Sequence, residues 1–290
     1  MSTSIVLRRR LASRLVDYRK TAGLTQRDAA AHLGAGVSKI IRIETAESTV
    51  SVGDLRSLLT LYKITDPEEC DELVELARQA RKRGGWWSAY RDLLSGPFLA
   101  LEAEAARISD YEPSLIPGLL QTEGYAYRLI ATLTNVHEEE VQRLVQVRMR
   151  RQRRLYDDDA PLVLDAIIDE AALIRTLHCG DIAREQLERL LKDGERPNIS
   201  IRVVPKEAGI YPAIGYPFVI IGFPGPDPDI VLTETRVGEQ YLHDAQEVGA
   251  FVSDLRELIA CALDEEDSAR LIRSLIRKLV PIREDPDSLA

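Results

Sequence analysis

The sequence has few residues able to build a cross-linked or metal-held framework. Its 290 residues include only three cysteines and four histidines. Cys70, Cys179 and Cys261 lie far apart with no paired spacing, which excludes both a disulfide framework and a zinc site. The histidines are scattered as well. We therefore expect no metal site and no cofactor.

Long apolar runs are also missing. No stretch approaches the ~20 consecutive apolar residues that span a bilayer. The basic triplet Arg8-Arg9-Arg10 leads into an amphipathic helix pattern instead of a secretory segment. We expect no membrane segment and a cytoplasmic protein.

Sequence patterns typical of enzymes are absent too. The glycines at Gly222-Phe-Pro-Gly-Pro226 are interrupted by proline, so this segment reads as a turn and not as a phosphate-binding loop. Asp157-Asp158-Asp159 lacks the glycine and glutamate of a calcium loop and reads as a solvated turn. No serine or cysteine lies in a recognisable nucleophile context. We expect that the chain is not an enzyme.

The charge of the chain is divided unevenly. Residues 1–63 have a net charge of +6 and the remaining residues −15, within a total of −9. A basic N-terminal segment fits a phosphate-binding module, and an acidic remainder discourages non-specific contact with DNA. The length suggests two domains.

The N-terminal segment contains a helix-turn-helix pattern. The apolar period predicts helices over residues 5–22, 26–33 and 37–44. Gly23 suits a left-handed C-cap, and Thr25 with Asp28 forms a capping-box pattern. Two short helices joined by a glycine turn place the second of them in the major groove of DNA.

The third predicted helix has a core side and a DNA side. Ile40 and Ile43 are three residues apart and face the core. Arg42 can donate two hydrogen bonds to guanine, and an exposed Ile41 can contact a thymine methyl group. Gln26 starts the preceding helix and is positioned to bind a phosphate. The predicted DNA-binding residues are Gln26, Arg27, Val37, Ser38, Lys39, Ile41 and Arg42.

This segment resembles the Cro/CI-like, or Xre, family of helix-turn-helix domains. The matching residues are Gly23-Leu24-Thr25-Gln26, Ala30, Gly34 and Arg42-Ile43-Glu44. In that family an arginine four residues before the glycine pairs with the closing glutamate. The resemblance therefore implies a structural ion pair between Arg19 and Glu44, neither of which would read DNA.

The domain boundaries follow from helix start and stop signals. Ser51 and Asp54 form another capping-box pattern, and the head is predicted as an all-α five-helix domain over residues 1–64. Asp66-Pro67 is a strong helix start, and Gly84-Gly85 ends that helix. We predict a connector helix over residues 65–85.

The remainder of the chain is predicted as an α+β domain over residues 86–282, with a small mixed or antiparallel sheet and a loose tail over 283–290. Strands are predicted at 162–168, 199–204, 218–223 and 230–235. Helices are predicted at 102–109, 122–134, 138–156, 181–192, 245–262 and 266–280.

This domain also resembles a known family. The matching segments are Glu102-Ala-Glu-Ala105, Tyr111–Thr122, Asp165 with Asp169–Leu173, Pro197–Pro205 and Phe218–Phe223. They are similar to the C-terminal domain of unknown function in actinobacterial regulators of the WhiJ type. The resemblance implies control of development or antibiotic production, often with a small acidic partner protein in an antitoxin-like arrangement. It implies no catalytic residues.

Two functional hypotheses remain at this point. In the first, the chain is a homodimeric regulator that binds a palindromic operator in double-stranded DNA and responds to a small-molecule effector or a partner. In the second, it is an antitoxin-like module that sequesters a small partner protein and regulates its own operon.

Two further features of the C-terminal domain are candidates for binding. Four aromatic residues are candidates for a ligand cavity: Trp87, Tyr111, Tyr211 and Tyr216. The arginine run Arg148–Arg154 is open to three interpretations, as an internally paired or solvated face, a DNA contact or a partner contact.

Overall fold

The computed structural model describes residues 4–81, 85–90, 92–93, 96–225, 227–235 and 238–279. The chain divides into two compact units, Met1–Glu104 and Ala105–Ala290. Residues 82–84 of the predicted connector and the predicted loose tail over 283–290 lie outside the described residues.

The first unit is helical. Its helices are α1 (Ser4–Thr21), α2 (Gln26–His32), α3 (Val37–Glu44), α4 (Val52–Leu61), α5 (Pro67–Ala80) and α6 (Phe98–Glu104), with a 3-10 turn at Trp86–Tyr90. The helix-turn-helix pattern of the sequence corresponds to α2 and α3.

The turns between these helices form for local reasons. Gly23 has a φ of +70°, a left-handed conformation in which a side chain would be strained. The backbone N–H of Leu24 donates to the carbonyl of Arg19 at 3.1 Å and closes the end of α1. Thr25 and Asp28 form the reciprocal capping box that starts α2. These local signals set the angle at which the chain enters the next helix.

Helix α5 belongs to the core of the first unit. It begins at the predicted Asp66 cap with Pro67 at its first position, and it packs against α1. Leu73, Ala77 and Ala80 are at most 3% exposed and join the same core as the first four helices. The sequence assigns this helix to a connector outside a 1–64 domain. The structure makes it the fifth helix of the head, because its apolar stripe is covered by α1.

The second unit combines helices with one sheet. The helices are α7 (Glu123–Leu133), α8 (Glu138–Gln152), α9 (Glu170–Leu177), α10 (Ile182–Asp193), α11 (Ala245–Cys261) and α12 (Glu265–Lys278). The strands are β1 (Arg107–Glu112), β2 (Val163–Asp169), β3 (Ile199–Val204), β4 (Phe218–Gly222), β5 (Ile230–Thr235) and β6 (Gly238–Leu242).

The six strands form a mixed sheet in the order β3-β2-β1-β4-β5-β6. The pairs β1–β2 and β2–β3 are parallel. The pairs β1–β4, β4–β5 and β5–β6 are antiparallel. The parallel pairs are joined through helices, as such connections require. The predicted helical head followed by an α+β domain with a mixed sheet is confirmed.

One predicted element is wrong. Residues 102–109 were expected to be a helix, but α6 ends at Glu104 and strand β1 begins at Arg107. The strand carries Ser109 and Asp110, which are buried although polar, so it lacks the apolar alternation that predicts a strand. Pairing with β2 on one side and β4 on the other outweighs this weak local preference.

Two other elements were not predicted from the sequence. Helix α9 follows β2 directly, and Asp169 caps it by accepting a hydrogen bond from the backbone N–H of Ala171 at 2.6 Å. Strand β6 is short and forms the edge of the sheet, where it pairs only with β5. Its Glu239 and Gln240 are exposed, so no apolar period marks it.

We predict that Leu73→Ala lowers the free energy of unfolding of the first unit by about 2–5 kcal/mol, because it leaves a cavity in a closely packed core. Both tryptophans of the sequence, Trp86 and Trp87, lie in this unit, so urea unfolding followed by tryptophan fluorescence measures it. Asp71→Ala, on the exposed side of α5, is the control and should change the value by less than about 0.5 kcal/mol. An unchanged midpoint for Leu73→Ala would contradict the assignment of α5 to this core.

Candidate DNA interface

Helix α3 is anchored by its core side. Ile40 and Ile43 are 1% and 3% exposed. Gly36 caps the helix without a side-chain hydrogen bond, which costs only a few tenths of a kcal/mol relative to serine. The anchored side fixes which residues the helix presents on its other side.

The opposite side of α3 is accessible. Ser38 and Arg42 are exposed, and Ile41 keeps 40% of its surface exposed. A polar hydroxyl, an aliphatic side chain and a guanidinium therefore lie together on one surface. These are the groups that can read a base edge, a thymine methyl group and a guanine.

Two residues of α3 differ from their predicted positions. Val37 is half-buried and packs against the core, because it lies three residues before Ile40 on the same stripe. Lys39 is partly exposed, and its Nζ lies 3.0 Å from Oδ2 of Asp54 in α4. Val37 therefore contacts the core and Lys39 contacts α4, so neither is presented to the solvent as Ser38 and Arg42 are.

The two predicted residues of α2 are in different environments. Arg27 is exposed. Gln26 is half-buried, and its Nε2 donates a hydrogen bond to Oε2 of Glu44 at 2.9 Å. The side chain predicted to bind a phosphate is thus hydrogen-bonded to the last residue of α3.

Arg19 and Glu44 form a bidentate ion pair. Nε and Nη2 of Arg19 donate to the two carboxylate oxygens of Glu44 at 2.6 and 2.9 Å. The side chains are 10% and 5% exposed, so the pair is nearly buried. The hydrogen bonds to Glu44 raise the pKa of Arg19 above its ordinary value. Nη1 of Arg19 also donates to the carbonyl of Leu24 at 2.9 Å, which ties the α1–α2 turn to the end of α3.

The four aromatic residues proposed for a ligand cavity are in different surroundings. Trp87 lies in the first unit, with its ring centroid 6.3 Å from that of Trp86. Tyr111 and Tyr211 are 0% and 6% exposed and belong to the core of the second unit. Tyr216 is 44% exposed, and its hydroxyl donates to Asp254 at 2.9 Å.

The rings of Tyr111 and Tyr211 pack in the core of the second unit together with Phe251 and Leu258 of α11. Their hydroxyl oxygens are 3.0 Å apart, and the hydroxyl of Tyr211 donates to Asp169. Burial and the hydrogen bond to Asp169 raise the pKa of Tyr211. These two tyrosines, which the sequence suggested as ligand contacts, are core residues of the second unit.

A cavity of about 260 Å³ lies elsewhere in the second unit, between α10, β3 and α12. Its apolar lining includes Leu190, Ile201 and Ile272, with Glu265 and Arg273 at its edge. None of the four aromatic residues lines it. These aliphatic residues carry no sequence signal that would separate a cavity from an ordinary core.

Part of the arginine run makes contacts inside the second unit. Nη1 of Arg148 donates to Oε1 of Gln121 at 2.6 Å, and Nη1 of Arg154 donates to the carbonyl of Ala105 at 2.8 Å. The positions of these two side chains favour an internal structural role.

Glu112 lies at the end of β1. Burial, helped by the charges of Asp110 and Glu234 and opposed by that of Arg148, raises its pKa to about 9. The side chain is therefore protonated and uncharged at neutral pH.

Over the described ranges, no group of three or more His, Cys, Asp or Glu side chains could hold a metal ion. Among the helices described, none combines the length and the apolar character needed to cross a membrane.

Comparisons with protein families match both units. Residues 10–73 match the family model described as a helix-turn-helix domain. Residues 96–274 match the family model described as a domain of unknown function, DUF5753. No curated protein and no solved structure matches the chain.

We predict that Glu44→Gln lowers the free energy of unfolding of the first unit by about 3 kcal/mol. This is the lower end of the range for breaking a buried ion pair, because glutamine keeps one acceptor oxygen for Arg19. Hydrogen exchange of the α1 and α3 amides in the full chain measures the effect. Glu47→Gln, at an exposed position just after α3, is the matched control, and equal protection in both variants would contradict the prediction.

We predict that the stability of the second unit falls as the pH rises from about 4.5 to about 9 through Glu112. The folded state keeps this proton while the unfolded chain, with the ordinary pKa of 4.5, has lost it. A carboxyl pKa raised by folding thus disfavours the folded state at high pH, by at most ~1.4 kcal/mol per pH unit.

Glu112→Gln should remove this dependence and stabilise the unit at pH 8. Thermal unfolding of the two proteins between pH 5 and 9 tests the effect, with hydrogen exchange of the β1 and β2 amides to locate it. Glu257→Gln, at an exposed position on α11, should leave the slope unchanged. A steeper or equal slope in Glu112→Gln would refute the assignment.

Proposed function

Because this chain belongs to the DUF5753 family and carries a helix-turn-helix domain in front of that domain, we propose that it is a sequence-specific DNA-binding transcription regulator. We propose further that its N-terminal domain is of the Xre type and its C-terminal domain of the WhiJ type. In this proposal the chain has no enzymatic activity and acts on DNA in the cytoplasm.

One observation carries the proposal. Helix α3 buries Ile40 and Ile43 while Ser38, Ile41 and Arg42 lie exposed on the other side. An isoleucine with 40% of its surface exposed between two hydrogen-bonding side chains suits a major-groove surface, where it can contact a thymine methyl group. This feature favours DNA reading over sequestration of a partner protein as the main function.

The number of recognition helices determines how many chains a palindromic operator needs. One chain carries a single α3, so a palindromic operator requires two chains. We propose that the chain acts as a homodimer through its second unit, with half-sites spaced by one helical turn, ~34 Å. The second unit would also respond to a small molecule or a partner protein.

Enrichment of bound duplexes from a random pool tests the function directly. The full chain should select a sequence with two inverted half-sites about 10 base pairs apart, centre to centre. Arg42→Ala should lower affinity for that sequence by about 10- to 100-fold per half-site, the value of one bidentate base contact, and relax the preference at one position in each half-site.

Arg78→Ala is the matched control, since it removes an exposed arginine from α5. It should leave the selected sequence unchanged. If Arg42→Ala binds both the selected and the random duplexes as tightly as the original chain, α3 does not read the groove.

A further inference from the structure

Lys39 lies on the recognition helix, but its charge is directed to another helix of the head. Its Nζ lies 3.0 Å from Oδ2 of Asp54, in the first turn of α4. The same Oδ2 accepts a hydrogen bond from Oγ of Ser51 at 2.7 Å. Ser51 is the cap of α4 and accepts in turn from the backbone N–H of Asp54 at 3.0 Å.

These contacts fix the carboxylate independently of Lys39. The cap of α4 holds the Asp54 side chain in place, and the N-terminal end of a helix favours a negative charge. The hydrogen bond from Ser51, followed by the interaction with Lys39, lowers the pKa of Asp54. A fixed anion therefore stands beside the recognition helix.

The second cation of α3 is in a different situation. Arg42 lies three residues after Lys39, is exposed, and makes no ion pair within the part of the chain that the structure describes. One helix thus presents two cations, one compensated by Asp54 and one available. Lys39 and Arg42 differ because Asp54 of α4 lies beside Lys39.

We propose that Asp54 is a positioning residue that holds Lys39 back from the DNA phosphates and so lowers the sequence-independent part of DNA affinity. This inference rests on the proposed function. Phosphate contacts supply affinity for every sequence alike, and each contributes about 0.9 to the slope of log affinity against log salt concentration. With Lys39 paired to Asp54, the head binds with one phosphate contact fewer than its cations allow.

The test measures affinity of the full chain for a random-sequence duplex between 50 and 200 mM salt. Lys39→Gln should leave the slope of the original chain unchanged, because Lys39 makes no phosphate contact. Asp54→Asn should steepen the slope by about 0.9 for each recognition helix bound, so that its gain in affinity is about 3-fold larger per helix at 50 mM than at 200 mM salt. Combining the two substitutions should restore the original slope.

Glu47→Gln is the control for simple charge effects. It makes the same change in net charge at an exposed position after α3, where the described residues show no ion pair. Any gain in affinity from this substitution should persist when Lys39→Gln is added. Only the gain from Asp54→Asn should depend on Lys39.

Two results would overturn the inference while leaving the proposed function intact. One is a slope that flattens by about 0.9 for each recognition helix bound in Lys39→Gln alone, which would mean that Lys39 already contacts a phosphate. The other is an unchanged slope in a folded Asp54→Asn variant. Lys39→Gln keeps the α4 cap, so it carries the test even if Asp54→Asn does not fold. Failure of the original chain to bind any duplex would instead refute the proposed function itself.

Discussion

The geometry of the head depends on one carboxylate. Glu44, the last residue of α3, accepts two hydrogen bonds from Arg19 and one from Gln26. Arg19 also donates to the carbonyl of Leu24 in the α1–α2 turn. A single nearly buried group therefore fixes the end of α1, the start of α2 and the end of α3 relative to one another. Because a buried charge is costly unless paired and hydrogen-bonded, these helices are favoured in one arrangement.

The second unit depends on a different constraint, the position of β1. This strand lies inside the sheet where the parallel half meets the antiparallel half, parallel to β2 and antiparallel to β4. Its Ser109 and Asp110 are buried, and Oγ of Ser109 donates to Asp165 of β2 at 3.3 Å. Its tyrosine, Tyr111, fills the core beneath α11. The two halves of the sheet are joined through a strand whose own sequence favours a strand only weakly.

The elements that the sequence predicts well are those with strong local signals. Gly23, the Thr25–Asp28 capping box and the Asp66-Pro67 start each satisfy backbone groups nearby, so the sequence is sufficient to locate them. Strand β1 and the environment of Glu112 depend on residues distant in the chain, and no local pattern reveals them. The same holds for the role of α5, because an amphipathic helix alone does not indicate which surface covers it.

In the candidate DNA interface, too, some features follow from local spacing and others depend on residues distant in the chain. The exposure of Ser38, Ile41 and Arg42 follows from the spacing of Ile40 and Ile43 within one short helix. The half-burial of Val37 follows from that spacing too, since it lies one step earlier on the same stripe. The attachments of Lys39 to α4 and of Gln26 to Glu44 link separate helices, and only the assembled head shows them.

Asp169 shows how two structural contacts can require one residue type. One oxygen of its carboxylate caps α9 and the other accepts the hydroxyl of Tyr211. Asparagine has nearly the same shape but only one acceptor oxygen, so it can satisfy one of these donors and not both. An acidic side chain bonded to a tyrosine in a protein interior can look like part of an active site. Here the hydrogen bonds from the backbone of α9 and from Tyr211 already give a structural reason for a carboxylate.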